Sequence, residues 1–397
     1  MGKILFLSYD GLSDPLGQSQ ILPYLSGLSA LGHSITIISF EKQIPFRNLS
    51  NRIFDYSQKN ELNWTPLFYH KNPPVLSTLY DLFILYRIVK KLHRENNFSI
   101  IHCRSYLTAL IGLAMKRKFK TRFIFDMRGF WADERVEGDI WNLKNPVYNI
   151  IYRFFKKKEK EFLQTADYII SLTKNAKNEI QSWGILSPIT VIPTCVDLSL
   201  FDPSKIDETE KDKLRRSLGI EKDDFVLLYL GSWGTWYLTD EMMKFYEALK
   251  ERLPTAKFLI ISPDHINTKG HRFQKDFIIK SVSRLNVPLH ISIASAALFF
   301  IKTSFSKKAS SATKMGEIMA MNIPMITNGG WGDVDEYSNE RTFILQDFNK
   351  DSVRTLITKL IQTGASPQKS FTYQIQALSL DTGIANYDQV YEQLLSL

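Results

Sequence analysis

The sequence predicts two doubly wound α/β domains in tandem. Three observations carry this prediction. The chain has 397 residues, too many for one ordinary domain and suited to two. Short apolar runs alternate with amphipathic stretches. That alternation stops at one charged segment and then begins again. Apolar residues make up 44% of the chain and aromatics 13%, enough to fill cores, which excludes wholesale disorder.

In the first half the predicted strands are Ile4–Ser8, Ser34–Phe40, Ser99–Cys103, Arg122–Asp126, Tyr168–Leu172 and Ile189–Pro193. Between them helical spacing covers Gln18–Leu31 (closing at Gly32), Leu79–Arg94, Tyr106–Lys116, Pro146–Gln164 and Lys174–Trp183. Strand–helix alternation of this kind implies a parallel sheet covered on both faces. The segment Phe201–Asp224 is charged and opens with turn chemistry, which places a domain boundary near Pro203. The alternation resumes with strands Phe225–Leu230, Lys257–Ser262, Ile323–Thr327 and Thr342–Leu345, and ends on a helix, "YDQVYEQLLSL". The expected domains are therefore residues 1–203 and 204–380, followed by a terminal helix, 381–397, that packs back on the first domain. In such sheets ligands bind beyond the carboxyl ends of the strands, so the expected site is the cleft where the two domains face each other.

The net charge of +9 is confined to the first half. Residues 1–200 hold 26 Lys and Arg against 17 Asp and Glu, whereas the remainder holds 24 of each. A basic half fits either an anionic partner or a lysine-rich solvated surface. Two cysteines, Cys103 and Cys195, argue against a disulfide framework and fit a reducing compartment. The start "MGKILFLSYDG" reads as a first strand cut off by Asp10, not as a signal peptide. The uncharged stretch Leu285–Ile301 contains Pro288 and His290 and falls short of a spanning helix. The expectation is a cytoplasmic protein, at most docked on the inner face of the cell membrane.

The stretch "SSATKMGEIMAMNIPMITNGG", Ser310–Gly330, reads as loop, helix, buried strand and glycine turn. Ser310, Ser311 and Thr313 place hydroxyls where a helix begins, and free N–H groups there form an anion site. Lys314 sits in the first turn, where a cation is mildly unfavourable unless an anion joins it. Glu317 follows Ser311 at about 9 Å along a helix axis, a reach that suits a diphosphate at the helix start and ribose hydroxyls on the carboxylate. Gly316 costs roughly 1 kcal/mol relative to Ala, so something approaches this backbone closely. An N-capped helix packed on strand Ile323–Thr327 accounts for these residues equally well.

These residues also resemble a family. The stretch is similar to the donor-site segment of the retaining glycosyltransferases of family 4, which have the GT-B fold: Ser-x-Pro-Thr-Lys, a Glu three residues on, then Met-Ala and a Pro-hydrophobic strand. "LSYDGLSDPLGQSQILPYLSGLSALGHSITIIS" resembles their opening strand, glycine loop and helix. "FIFDMRGFWADE" resembles a segment of members that build cell-surface polysaccharides, and "TADYIISLTKNAKNEI" and "VIPTCVDLSLFDP" resemble the segments before the interdomain linker.

The resemblance implies a nucleotide-sugar donor (UDP- or GDP-linked) on the second domain, a saccharide or lipid-linked acceptor on the first, and no required metal or other cofactor. Glu317 matches the ribose-binding glutamate, and Ser311, Thr313 and Lys314 match the phosphate-binding helix start, beside the candidate Ser310. Gly17 matches the first-loop glycine. Ser232 is expected at the donor and Gln18 at the acceptor, and the acidic loop with Asp133 and Glu134 reads either as a solvated loop or as one that binds acceptor hydroxyls. Lys314 and Arg128 are the expected catalytic cations. Arg128 stands where many members have a His, and it also suits a salt bridge to Asp126 or Asp133. Two positions depart from the pattern. Ala309 replaces the first glutamate of Glu-x7-Glu, and "GSWGTWYLTDE" lacks the Arg and Lys that usually grip the diphosphate.

The helix "PVYNIIYRFFKKKEKEFL" places Val147, Ile150, Ile151, Phe154, Phe155 and Phe162 on one face with Lys156–Lys158 and Lys160 beside it. It suits packing on the sheet and equally suits docking, with "KRKFK", on an anionic membrane. A nucleotide-sugar epimerase of the same fold is a rival reading, as is a catalytically degenerate nucleotide-sugar or anion-binding protein. No nucleic-acid module is present, no G-x-G-x-x-G follows the first strand, and no Cys or His cluster supports a metal.

Overall fold

The computed structural model describes residues 2–363 and 370–396. Met1, 364–369 and Leu397, which fall within the expected first domain, second domain and terminal helix, lie outside the described residues. The chain divides into two compact units. One comprises Met1–Cys195 with Lys308–Ser311 and Leu380–Leu397, the other Val196–Lys307 with Ala312–Ser379. The division thus falls at Cys195/Val196 and not at Pro203, because Val196 and Phe201 are already buried in the core of the second unit.

The first unit runs β1 (Lys3–Ser8), α1 (Pro15–Gln20), α2 (Leu22–Ala30), β2 (Ser34–Glu41), α3 (Gln43–Lys59), β3 (Leu62–Phe68), α4 (Leu76–Asn96), β4 (Ile100–Arg104), α5 (Ser105–Phe119), β5 (Arg122–Asp126), α6 (Trp131–Glu137), α7 (Pro146–Thr165), β6 (Tyr168–Ser171), α8 (Lys174–Ser182) and β7 (Ile189–Val191). Its seven parallel strands are ordered β3-β2-β1-β4-β5-β6-β7. The single helix expected over Gln18–Leu31 is two. Ile21 leaves helical geometry (φ −120°, ψ −63°) and Pro23 sits in the first turn of α2, the one place where its missing N–H costs nothing.

The second unit runs α9 (Glu208–Ser217), β8 (Val226–Leu230), α10 (Thr239–Arg252), β9 (Lys257–Ile261), β10 (Phe277–Lys280), α11 (Val287–Ser292), β11 (Ala296–Leu298), α12 (Thr313–Ala320), β12 (Met325–Asn328), β13 (Thr342–Leu345), α13 (Lys350–Thr363) and α14 (Thr372–Ala377). Its six parallel strands are ordered β10-β9-β8-β11-β12-β13. The charged segment after Pro203 contains α9, none of whose residues is buried.

The last helix, α15 (Leu380–Leu395), belongs to the first unit. Tyr387, Val390, Tyr391 and Leu394 bury against Tyr24, Leu25 and Leu28 in that unit's core. The first unit also takes in Lys308–Ser311. The Thr173 hydroxyl donates to the Lys308 carbonyl at 2.6 Å, and the Thr194 N–H donates to the Ser311 hydroxyl at 2.9 Å.

Among the described residues no helix is long and apolar enough to cross a membrane. The apolar residues of α7 do not share one face as the spacing suggested. Phe155 and Phe162 enter the core, while Val147, Ile150 and Phe154 point outward.

Candidate functional site

In the first unit the loop after β1 is shaped by one carboxylate. Glu41, at the end of β2, is fully buried and accepts the N–H groups of Leu12 at 2.7 Å and Ser13 at 3.0 Å. It also accepts the hydroxyls of Ser13 and Ser39, each at 2.5 Å. Gly17 is required by this packing, since a Cβ there would overlap the Gly11 carbonyl and Leu12. Gln18 donates from Nε2 to the Ser13 carbonyl at 3.1 Å. The loop is thus pinned to the carboxyl edge of the sheet. Glu41→Gln turns an acceptor of four hydrogen bonds into a partial donor, and is expected to lower unfolding free energy by about 1–3 kcal/mol. Denaturant titration showing wild-type stability would refute this role.

Two guanidinium groups stand beside that loop. Arg128 Nη2 and Arg104 Nη2 both donate to Gln20 Oε1, at 2.9 and 3.2 Å. Arg128 Nη1 lies 3.8 Å from Asp126 Oδ1, and Arg104 Nε lies 3.6 Å from Asp10 Oδ2. The expected ion pair of Arg128 is therefore with Asp126. Asp126 Oδ2 also accepts the Tyr387 hydroxyl at 3.0 Å and faces His102 Nε2 at 3.4 Å. Burial pushes the Asp126 carboxyl up, but Arg128, then His102 and Arg104, outweigh it and hold it below the usual carboxylate range. Burial lowers Arg128 as well, and Asp126, followed by Tyr387 and Tyr24, more than restores it. Burial also keeps His102 below its ordinary value, with Asp126 pulling the other way. His102 is therefore a neutral structural bridge, its Nδ1 2.7 Å from the Tyr391 hydroxyl.

Backbone geometry marks the same edge. Ser105, following β4, has φ 71°, and Arg128, following β5, has φ 56°. Left-handed conformations of non-glycine residues cost on the order of 1–3 kcal/mol and collect at functional sites. Here they turn the chain immediately beyond the strand ends. Asp133 is committed within its own unit, accepting from the Tyr152 hydroxyl at 2.9 Å and Lys156 Nζ at 2.7 Å. Glu134 lies beside Gly129, the residue after Arg128. A Cβ placed on Gly129 would lie 3.8 Å from its carboxylate.

In the second unit the key group is Lys314, in the first turn of α12. It is buried, and its ammonium has no hydrogen-bond partner. Instead Nζ lies 3.7 Å from the ring centroid of Tyr237, 4.3 Å from that of Tyr229 and 5.7 Å from that of Phe299. Burial drives its pKa well below the ordinary lysine value, and only Glu317 opposes this. Gly231 makes the approach possible. Its φ of 114° excludes most side chains, and a Cβ there would lie 2.9 Å from Nζ. Ser232 follows, its carbonyl accepting the Tyr229 hydroxyl, while the Trp233 N–H donates to Asp264 at 2.7 Å.

Glu317 lies one turn beyond Lys314 on the same face of α12. Arg284 Nη1 donates to its Oε1 at 2.8 Å. A carboxylate offers about four acceptor positions, so this contact orients Glu317 without exhausting it. No side chain caps α12, whose N-cap is Ala312, so the Ser311 hydroxyl, engaged by Thr194, is not its cap. Gly316 meets Val196, whose Cβ would lie 3.3 Å from an added methyl, rather than β12. Ala309 is buried. Where the family pattern calls for Arg and Lys, the loop offers Trp233, Trp236 and Tyr237, and Lys307 Nζ sits 3.6 Å from the Trp236 ring centroid.

Lys314, Glu317 and Ser232 thus gather at the carboxyl edge of the second sheet, and Gly17, Gln18 and Arg128 at that of the first. Sequence reasoning missed Glu41, Arg104 and Arg284 and the tyrosines around Lys314. The uncharged, aromatic character of "GSWGTWYL" was a signal of Tyr237, whereas Tyr229 lies within β8.

The sequence model of Glycosyltransferase Family 4 matches residues 21–200. No curated protein matches the chain in sequence. Solved structures match over nearly the whole chain. A glycosyltransferase from Rickettsia africae is 15% identical, with TM-score 0.71 and 99% of each chain covered. Sucrose-phosphate synthase from Thermosynechococcus elongatus is 14% identical, with TM-score 0.72 and 99% of each covered. Anabaena Alr3699/HepE in complex with UDP-glucose is 13% identical, with TM-score 0.70 and all of both chains covered.

Proposed function

From the premise that this chain is a glycosyltransferase of family 4 with the GT-B fold, we propose that it is a retaining enzyme. It moves a sugar from a UDP- or GDP-linked donor to a saccharide or lipid-linked saccharide acceptor in cell-envelope polysaccharide synthesis. The observation that carries this reading is Lys314: a buried cation without a hydrogen-bond partner, one helical turn from a carboxylate held by Arg284.

Breaking the anomeric C–O bond leaves an oxocarbenium-like sugar and puts negative charge on the diphosphate. Preorganised donors aimed at that charge are the main catalytic lever. Lys314 and the start of α12, with Ser310, Ser311, Thr313 and Ser232 around it, are assigned to the diphosphate, and Glu317 to the ribose hydroxyls. In the first unit Gly17 keeps the loop close, and Arg128, always charged, can grip a phosphate oxygen pair. Gln18, Glu134 and, once released from Lys156, Asp133 are assigned to acceptor hydroxyls. No metal is required in this scheme. The basic first unit is proposed to bring the enzyme to the inner face of the cell membrane.

Calorimetric titration with UDP, GDP and their sugar derivatives tests the donor assignment. One nucleotide is expected to bind the wild type, and Glu317→Ala to weaken it about a hundredfold, near 2.7 kcal/mol. Equal binding by the variant would remove Glu317 from the donor site, and no binding to any nucleotide would favour an anion-binding protein.

A further inference from the structure

We propose that the outer face of α4, joined by that of α7, is an interfacial docking surface for an anionic lipid bilayer. This rests on the membrane-proximal reading above and names the surface that executes it.

The inner face of α4 is clear: Asp81, Leu85, Val89 and His93 are buried at four-residue intervals. A second apolar stripe runs along the opposite side. Leu76, Leu79, Tyr80 and Phe83 recur at helical spacing and are all exposed, Leu79 and Phe83 each at 57%. A helix that needed only to cover the sheet would carry polar residues there. The same stripe then changes chemistry. Arg87, Lys91 and Arg94 continue its spacing, with Lys90 at its edge. Arg87 folds back toward Phe83, 5.7 Å from the ring centroid. The two carboxylates of α4 are Asp81, which is buried, and Glu95, 3.9 Å from Lys91.

The layer repeats this pattern. α4 packs on α5 and α5 on α7. On α7 the exposed apolar side chains include Val147, Ile150 (68%) and Phe154, with exposed Arg153 beside them and Lys157 and Lys160 following. The last turn of α5 carries Lys116, Arg117 and Lys118, with Lys120 just beyond it; Lys116 pairs with Asp167 and Arg117 with Glu161. Lys90 is crowded by Lys118, Arg94 and Arg87, which together disfavour its charge.

Topology fixes the direction of the pattern. All strands of this sheet are parallel, so each connecting helix runs back against them. The apolar first turns of α4 and α7 therefore lie toward the carboxyl edge, where Arg104 and Arg128 stand, and the basic ends lie toward the opposite edge. An apolar band with a basic band beside it is the pattern of helices that lie in a headgroup interface. A second copy of the chain is a poorer occupant, because a two-fold contact sets the basic band either against itself or against the partner's apolar band, and in neither case supplies it with anionic groups.

The full-length protein is tested by co-sedimentation with vesicles of phosphatidylcholine, alone and with about a third phosphatidylglycerol, at about 0.1 M salt. Binding is expected only to the anionic vesicles. Arg87→Gln with Lys91→Gln should weaken it about 25-fold, at roughly fivefold per charge. Leu79→Ser with Phe83→Ser should weaken it at least about tenfold. Failure of the wild type to bind anionic vesicles, or undiminished binding by both double variants, overturns the proposal. So does a wild-type dimer in sedimentation that Leu79→Ser with Phe83→Ser dissolves. Nucleotide binding measured on the same samples separates the two ideas. Vesicle binding without nucleotide binding sinks the enzyme reading and leaves the surface, and the reverse result sinks the surface alone.

Discussion

Lys314→Met is expected to yield a protein that is more stable and nearly inactive. Removing one preorganised donor from a developing anion costs about 10²–10³ in kcat. In the unliganded protein the same ammonium is buried without an acceptor, and an apolar side chain of similar length removes that cost, adding about 1–3 kcal/mol at neutral pH. The gain depends on pH in a definite direction. The folded-state pKa of Lys314 is depressed from its ordinary 10.5 by burial, so between the two values the unfolded chain holds a proton that the folded chain does not. Wild-type stability therefore rises with pH through that window, and the advantage of Lys314→Met fades toward pH 10.5. Denaturant unfolding of both proteins at several pH values measures this. A variant less stable than wild type at neutral pH would mean that the ammonium has a partner, and full turnover would exclude it from the reaction.

Asp126→Ala should have the largest effect on stability. Asp126 carries the charge facing Arg128 and accepts the Tyr387 hydroxyl, so it ties β5 to α15. Leaving a buried guanidinium unpaired costs about 3–5 kcal/mol. Asp126→Asn retains an acceptor for Tyr387 and isolates the charge contribution. Because Asp126 is held below its ordinary 3.8, the stabilisation is fully present above that value and is lost only as pH falls through the folded pKa. The difference between wild type and Asp126→Ala should thus be flat across neutral pH and shrink only in strong acid. A difference below about 1 kcal/mol, within the range of an ordinary surface ion pair, would show that Arg128 is solvated.

The elements that could be read in the sequence are those whose pattern is local. β1, β2, β4, β5 and β6 are short apolar runs buried on both faces, and they were recognised nearly to their ends. β3 was missed because "LNWTPLF" contains Pro66 and only Leu62 is buried. It is an edge strand, where a missing ladder donor is tolerated. β10, also at an edge, has no fully buried residue. α3 buries only Ile53 and Ser57, so its periodicity is faint. α12 was legible because Lys314 and Glu317 lie within one turn of a helical stretch that resembles a known family's motif.

By itself the sequence determined two parallel α/β units, a basic first half, and a helix that carries a lysine and a glutamate one turn apart. Tertiary structure alone decided the environments that give those residues their chemistry. Arg284 reaches Glu317 from 33 positions away, Glu41 organises a loop 28 and 29 positions before it, and Tyr387 meets Asp126 across 261. Whether a lysine is a solvated charge or a strained one waiting for an anion depends on burial and on which rings surround it. Those rings, Tyr229, Tyr237 and Phe299, are brought to Lys314 by the folding of the β8 and β11 ends, which no local spacing records.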